Sequence, residues 1–477
     1  MVRRPREDQY DFLIIGAGMA GMAAAIRLGH FGKKVLLLER HAIIGGLNSF
    51  YKQDGRKYDV GLHAVTNYVP AGTKRAPLTK LLRQLRISHA DLGLSPQNVS
   101  RVAFPGHDLR FSNDFALLES EVARVFPKEI DRFRSLTEKV KSFDELDLQG
   151  PKLSARKILS EELHDPLLID MLLCPLMYYG SAKEGDMDFY QFVIMFKALF
   201  LEGFARPFEG VRHITQLLLR RMRELPVERI MNCGVQSLRA EEGEIKEVLL
   251  ENGRVVRADC ILSTIGSVET AALVENDVPF LRQNDEETPR LSFVETISVF
   301  DQQPVDWGWD ETIVFFNDQE EFAYEQPDNL VDPRSGVICF PNNYQYPDEK
   351  TLAEGFLRIT CLANYDRWIA LPEDIYKEEK ARWFEEMVRS ARRFLPPLAD
   401  AEIEKHQVGT DMFTPRTITK YTGHLGGAVY GAPEKIRDGK TPYRNLVLAG
   451  TDQGFLGITG SMLSGISMAN LHGLQSG

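Results

Sequence analysis

Three observations predict an α/β fold. Asp11 to Arg40 reads as strand, glycine turn, helix and strand. From Leu446 the chain closes on a further strand, glycine turn and helix. A long stretch of mixed helical and strand periodicity separates the two. Together they predict a parallel nucleotide-binding sheet assembled from both ends of the chain, with a mixed α+β lobe inserted into it.

The first element is the apolar run Phe12 to Ile15, long enough for one buried parallel strand. Gly16, Gly18 and Gly21 follow at the G-x-G-x-x-G spacing. The first glycine suits a tight turn, the second a close approach of backbone to a pyrophosphate, and the third close helix–strand packing. Ala17 to Arg27, rich in Ala and Met, is predicted as the helix whose N-terminus faces the phosphates. Gly16, Ala17, Gly18, Met19, Ala20 and Gly21 are therefore candidate cofactor contacts. Val35 to Leu38 is the next strand. Glu39 ends it 23 residues after Gly16, where a carboxylate accepts hydrogen bonds from a ribose diol. Arg40 adjoins it, and Gly45, Gly46, Leu47 and Asn48 lie where the chain passes a bound nucleotide.

Composition bounds the rest. At 477 residues the chain exceeds one small core, so two or three lobes are expected. A net charge of −11 argues against a nucleic-acid partner, because phosphate binding needs a basic face. Arg3, Arg4 and Arg6 make only a short basic tail, read as solvated, with a weak anionic-lipid contact as the alternative. The five cysteines are scattered and form no C-x-x-C, which argues against a disulfide framework or a metal site. No secretory signal precedes Tyr10 and no apolar run is long enough to span a bilayer. A cytoplasmic protein, with membrane association left open, is the expectation.

Leu78 to Ile87 has helical apolar spacing, Val102 to Phe111 reads as short strands, and Leu117 to Phe143 as helix interrupted at Phe126-Pro127. Leu167 to Phe208 is dense in Leu, Met, Phe and Tyr; it suits helical core, or the wall of an apolar tunnel whose mouth rests on a membrane. Ile230 to Leu238 is predicted as one strand. A hairpin turned at Asn252-Gly253 follows, and then Cys260 to Ser263, a strand that rejoins the nucleotide sheet with Ser263 and Thr264 at its ligand-facing end. Alternation predicts strands in Val299 to Val314, Gly336 to Phe340 and Phe356 to Cys361, and Lys377 to Phe394 is an amphipathic helix.

Several motifs resemble one superfamily. ERHAIIGGLNS, with its GG pair after the acid, and YDVGLH, with a D-x-G turn at Asp59 to Gly61, resemble the flavin-containing amine oxidases and phytoene desaturases. Gly61-Leu62-His63, TPRTITKYTGHLGGAVYG and NLVLAGTDQGFLGITGSMLSGISMAN resemble most the carotenoid isomerase and retinol saturase branch. Leu47 stands where amine oxidases usually carry Arg, and Glu209 where the family's P-x-G-G segment has its first Gly.

The resemblance implies a Rossmann-like FAD-binding domain from residues 1–100, 205–275 and 405–477, and a substrate or cap domain from 101–204 and 276–404. It puts Gly61 near the flavin and Val235 at adenine. Leu446 to Ala449 is the closing strand. Gly450, Thr451 and Asp452 turn at its end, with Asp452 placed for the ribityl or pyrophosphate side. Thr459, Gly460, Ser461 and Met462 open a helix, predicted from Ser461, whose N-terminus favours negative charge on a flavin by about 0.3–1 kcal/mol.

Two nucleotide-contacting motifs at opposite ends imply extended FAD rather than NAD. No cysteine follows Cys361, so the FAD is expected to be non-covalent. No second complete G-x-G-x-x-G unit exists, so electrons enter or leave by quinone, oxygen, free nicotinamide or a partner. The expected function is an FAD-dependent oxidoreductase acting on C–C bonds of an apolar isoprenoid or polyene substrate by hydride transfer at flavin N5: desaturation, saturation or cis–trans isomerisation. The alternatives are a flavin amine oxidase and, as a non-enzyme, a prenyl-binding escort with a flavin-free fold. His63 is the candidate acid or base, a turn-capping histidine being the competing reading. Tyr421 and Thr414 either line the ring pocket or serve packing, and Asp59 reads as a turn-former.

Overall fold

The computed structural model describes residues 4–61, 63–275, 289–347 and 350–475. Arg3, Leu62 and the 276–288 portion of the inserted lobe lie outside the described residues.

The chain builds two large sheets. In the first, Gln9–Ile15 lies between Val35–Glu39 and Val255–Ser263, with Val227–Met231 beyond Val35–Glu39 and Leu446–Leu448 added to Val255–Ser263. These pairings are parallel: Ile14 lies opposite Leu37 and Leu262, and Leu262 opposite Val447. Their near-continuous apolar runs follow from burial on both faces. Phe12, Ile14, Val35 and Leu37 pack under the helices Met19–Gly29 and Gly457–Ala469. Leu13, Ile15, Leu36 and Leu38 face the opposite way, onto the antiparallel strands Val235–Glu241 and Glu244–Leu250. The predicted turn at Asn252-Gly253 joins Glu244–Leu250 to Val255–Ser263, with Gly253 at φ +80°.

The second sheet runs Gln407–Phe413, Ser292–Phe300, Gly355–Ala363, Val331–Cys339, Ile313–Asn317, Ser100–Phe104, His107–Phe111. It is antiparallel except where Ile313–Asn317 meets Ser100–Phe104. One face carries Glu373–Arg392; the other carries the helices between Phe115 and Glu202. The apolar stretch after Leu167 is packed core. Phe189, Phe192, Phe196 and Phe200 form a run of ring contacts at 5.2–5.7 Å, and none of them lines the main cleft. Among the described residues no helix is long and apolar enough to cross a membrane.

Four predicted boundaries change. The single strand 230–238 is two, because Asn232 adopts a left-handed φ of +55° and turns the chain from Val227–Met231 into Val235–Glu241. The segment 299–314 holds the end of one strand, a 3₁₀ turn begun by Pro304, and the start of another. Residues 407–413, assigned above to the FAD-binding part, add a strand to the second sheet. The closing helix starts at Gly457 rather than Ser461.

Candidate active site

A cleft of about 1330 Å³ runs along the ends of the parallel strands and is roofed by elements of the second sheet. It is built where the strands end and the chain turns, as expected for an open parallel sheet. Fourteen of the sequence-predicted contacts line it: Gly16, Gly18, Met19, Ala20, Glu39, Arg40, Gly45, Gly46, Leu47, Asn48, Val235, Gly450, Thr451 and Ser461.

The glycine turn fits a phosphate. A Cβ on Gly18 would meet nothing within 4 Å, so its backbone borders open cleft. Gly18 also caps Met19–Gly29 without any side-chain hydrogen bond, which leaves the first N–H groups of that helix free for an anion. A Cβ on Gly21 would lie 2.0 Å from the Gly16 carbonyl oxygen, so only glycine lets helix and turn approach this closely. The Glu39 carboxylate is fixed at the strand end: Oε2 accepts from the Ala17 N–H at 2.9 Å and Oε1 from the His41 N–H at 2.8 Å. Gly45, at φ +110°, bends the chain back toward the turn, its N–H donating to the Ala17 carbonyl at 2.9 Å. This donor set fits the pyrophosphate and ribose of a dinucleotide.

The remaining predicted residues do not line the cleft. Ala17 is fully buried, with N–H and C=O both used. Ser263 faces Thr270, hydroxyl to hydroxyl at 2.6 Å, and its neighbour Thr264 lines the cleft instead. The Asp452 carboxylate, 2% exposed, does not turn to the cleft; it accepts from the Ser267 N–H at 2.6 Å, the Ser267 hydroxyl at 2.8 Å and the Ala432 N–H at 2.8 Å. It ties three segments together. Thr459 donates to the Thr66 carbonyl at 3.1 Å, and Gly460 and Met462 pack within the closing helix's contacts. Gly61, at φ +64°, abuts the Leu47 carbonyl.

His63 is also outside the cleft lining. Its Nε2 lies 2.7 Å from Glu295 Oε1 and 3.1 Å from Thr360 Oγ1, while its carbonyl accepts from the Tyr344 hydroxyl at 2.8 Å. Burial pushes the Glu295 carboxyl up, but Arg358 and His63 outweigh it and hold it down at about 2. Thr414 caps Pro415–Thr422 and pairs with the Tyr376 hydroxyl at 2.9 Å, a packing role. Tyr421 lines the cleft, edge-on to His41 at 5.4 Å.

Sequence reading missed the roof. Tyr376, Lys380, Asp411, Arg416, Thr417 and Lys420 line the cleft from the second sheet and its helices. Only the T-P-R-T-I-T-K-Y segment carried a signal for this, through its resemblance.

The comparisons agree with this geometry. The sequence profile described as "Flavin containing amine oxidoreductase" matches residues 19–471. Prolycopene isomerase 2 (chloroplastic) of an Oncidium hybrid cultivar is 22% identical over 473 residues, covering 91% of this chain and 77% of that protein. The all-trans-retinol 13,14-reductase of Danio rerio is 22% identical over 558 residues, covering 98% and 87%. In fold, the crystal structure of an oxidoreductase from Methanosarcina mazei superposes with a TM-score of 0.63 at 15% identity, over 96% of this chain and 99% of the other. With the glycine turn, the acid at the strand end and the profile spanning nearly the whole chain, this protein belongs to the family of flavin-containing amine oxidoreductases.

Proposed function

We propose that the cleft holds FAD non-covalently and that the enzyme acts on carbon–carbon double bonds of an apolar isoprenoid or polyene. The observation that carries the substrate class is the state of the cleft's four carboxylates. Glu39 accepts two backbone N–H groups. Asp411 accepts from the Tyr51 hydroxyl at 2.5 Å and lies 3.4 Å from Lys380. Glu269 accepts from the Leu425 N–H at 2.9 Å, and Glu373 pairs with Arg416 at 3.4 Å. Asp411 and Glu373 thus already face cations, Glu269 lies 3.6 Å from His424 Nδ1, and Glu39 sits at the ribose end, so the four form no paired acidic clamp for an ammonium group. The relatives named for polyene substrates, aligned along nearly the whole chain, support the same class.

The bound flavin supplies hydride acceptance and donation at N5. The chain's part is placement. The N–H groups at Gly18 to Ala20 take the pyrophosphate, Glu39 the ribose, and Val235 the adenine side. Leu47, Asn48 and the turn at Gly450-Thr451 border the ring end. Ser461, from the helix Gly457–Ala469, lines the cleft and would face the ring end as well. All five cysteines lie off the cleft, which supports non-covalent binding. An external electron carrier completes any net oxidation or reduction. Three exposed apolar side chains, Ile43, Tyr421 and Leu425, rim the cleft beside Arg40 and Lys420, which supports a peripheral contact with a membrane that stores such a substrate.

The test is incubation of the FAD-loaded enzyme with cis-polyenes, followed by chromatography and mass analysis. A product changed by two hydrogens, or an isomer of unchanged mass, is expected. Peroxide release from amines with every polyene untouched would overturn the reading.

A further inference from the structure

Next to the turn that borders the ring end lies a buried ion pair that cofactor placement does not use. Gly450 and Thr451 line the cleft; the following residue, Asp452, does not. Lys435 Nζ stands 3.7 Å from Asp452 Oδ1, and the two side chains are 6% and 2% exposed. Lysine is almost never buried this deeply unless it is paired. Burial pushes the Lys435 ammonium below the ordinary lysine range, and the Asp452 carboxylate opposes that push.

The pair forms where one segment wraps another. The Ala432 N–H donates to Asp452 Oδ1 at 2.8 Å, the Ile436 N–H to the Asp452 carbonyl at 2.8 Å, and Gln453 Nε2 to the Arg437 carbonyl at 2.8 Å. A Cβ on Gly431, at φ +70°, would lie 1.9 Å from Asp452 Oδ1, so glycine is what lets the chain pass. Lys435 itself donates to the Tyr430 carbonyl at 2.6 Å. The backbone contacts already hold the turn, so what the ammonium adds is charge.

The neighbouring charges are committed elsewhere. Glu434 pairs with Lys152, and Arg437 with Asp188 at 3.0 Å. Among the described residues, Lys435 is thus the cation paired with Asp452. In a poorly solvated interior a charge is felt over several ångströms. A carboxylate one residue from the cleft lining, deprived of its cation, would oppose negative charge in the cleft. Charge near the ring is one of the means by which a protein tunes a flavin.

We propose that Lys435, acting through Asp452, balances the charge beside the Gly450-Thr451 turn and so sets how readily the bound flavin takes on negative charge. Lys435 is then a positioning residue that touches neither cofactor nor substrate. The inference rests on the reading that the cleft holds FAD.

The test is the midpoint potential of the bound flavin, followed by dye-coupled reduction at pH 8 in wild type, Lys435→Met and the double variant Lys435→Met/Asp452→Asn. Lys435→Met is expected to hold the reduced cofactor at least tenfold more weakly relative to the oxidised one, a potential lower by about 30 mV for a two-electron couple. The double variant, which carries neither charge, is expected to recover at least half of that shift. A merely structural role predicts the reverse, because the double variant loses more contacts. Equal potentials in wild type and Lys435→Met, or a double variant that departs further than the single one, would overturn the proposal. Should Lys435→Met lose its flavin, fluorescence titration of the apoproteins with FAD carries the test: the double variant is expected to bind more tightly than the single one, and weaker binding would overturn the proposal. A wild type that takes up no FAD would overturn the cofactor reading and this proposal with it, whereas a flavin-loaded wild type whose potential the variants share would overturn this proposal alone.

Discussion

Glu39 is held in place by two backbone N–H groups, from Ala17 and His41, so its carboxylate needs no reorganisation to meet a ribose. Hydrogen bonds to a charged group contribute about 1.5–3 kcal/mol, which corresponds to roughly tenfold to a hundredfold in affinity. Glu39→Ala is expected to lower FAD retention by that order, read as the flavin-to-protein absorbance ratio after gel filtration; unchanged flavin content would remove Glu39 from the ribose role. This residue was legible because the turn–helix–strand unit has a nearly fixed length. Ser263 and Asp452 were not. Adjacent residues at a strand end point to opposite sides, and Thr264 rather than Ser263 received the cleft side. Asp452 found three donors behind the wall, a long-range arrangement that no local pattern encodes.

The closing helix begins earlier than expected because Gly457, at φ +70°, turns the chain into it, while Gly460 and Gly465 lie inside the helix, where Gly465 serves packing. A Cβ on Gly465 would lie 2.1 Å from the Ala20 carbonyl oxygen, where the two helices that flank the cleft cross. Gly465→Ala is expected to force them apart, at about 1–3 kcal/mol of overpacking, and to lower both the unfolding temperature and flavin retention; a variant with wild-type values for both would show that the crossing tolerates a methyl group. The segment Lys197–Glu202 is an element the sequence did not announce, a π-helical turn continuing Phe189–Phe196. It ends on Glu202, whose Oε2 accepts from Asn67 Nδ2 at 2.8 Å. Burial pushes the Glu202 carboxyl up to about 7 against the opposing Asn67 hydrogen bond. A folded-state pKa above the unfolded one contributes stability that is complete below about 4.5 and lost as pH rises through about 7. Glu202→Gln is therefore expected to raise the unfolding temperature at pH 8 and leave it unchanged near pH 4; equal shifts at both would contradict the assignment.

Between the two sheets lies a buried ladder of charge that the sequence, with its partners scattered over three hundred residues, gave no means of assembling. Arg206 Nη2 meets Asp59 Oδ2 at 2.5 Å, Arg358 Nη2 donates to the Asp59 carbonyl at 2.9 Å, and the same guanidinium grips Glu295 through Nε at 2.9 Å and Nη2 at 2.6 Å. His63 closes the ladder on Glu295. Asp59 ends the hairpin that follows the cofactor loop, whereas Glu295 and Arg358 stand on neighbouring strands of the second sheet. The ladder thus ties the hairpin after the cofactor loop to the second sheet, and it gives His63 a positioning role in that junction. Removing one partner strands a buried charge, at about 3–5 kcal/mol. Glu295→Ala is expected to lower stability by that order, and Glu295→Gln by less because the amide keeps a shape that Arg358 and His63 can still contact. The sign with pH follows from the depressed Glu295 carboxyl: its contribution is present above the unfolded value near 4.5 and lost as pH falls toward about 2. Denaturant melts of wild type and Glu295→Gln should therefore converge as pH drops from 5 to 2.5. Curves that stay parallel across that range would show that the carboxylate's charge does not hold the two halves in register.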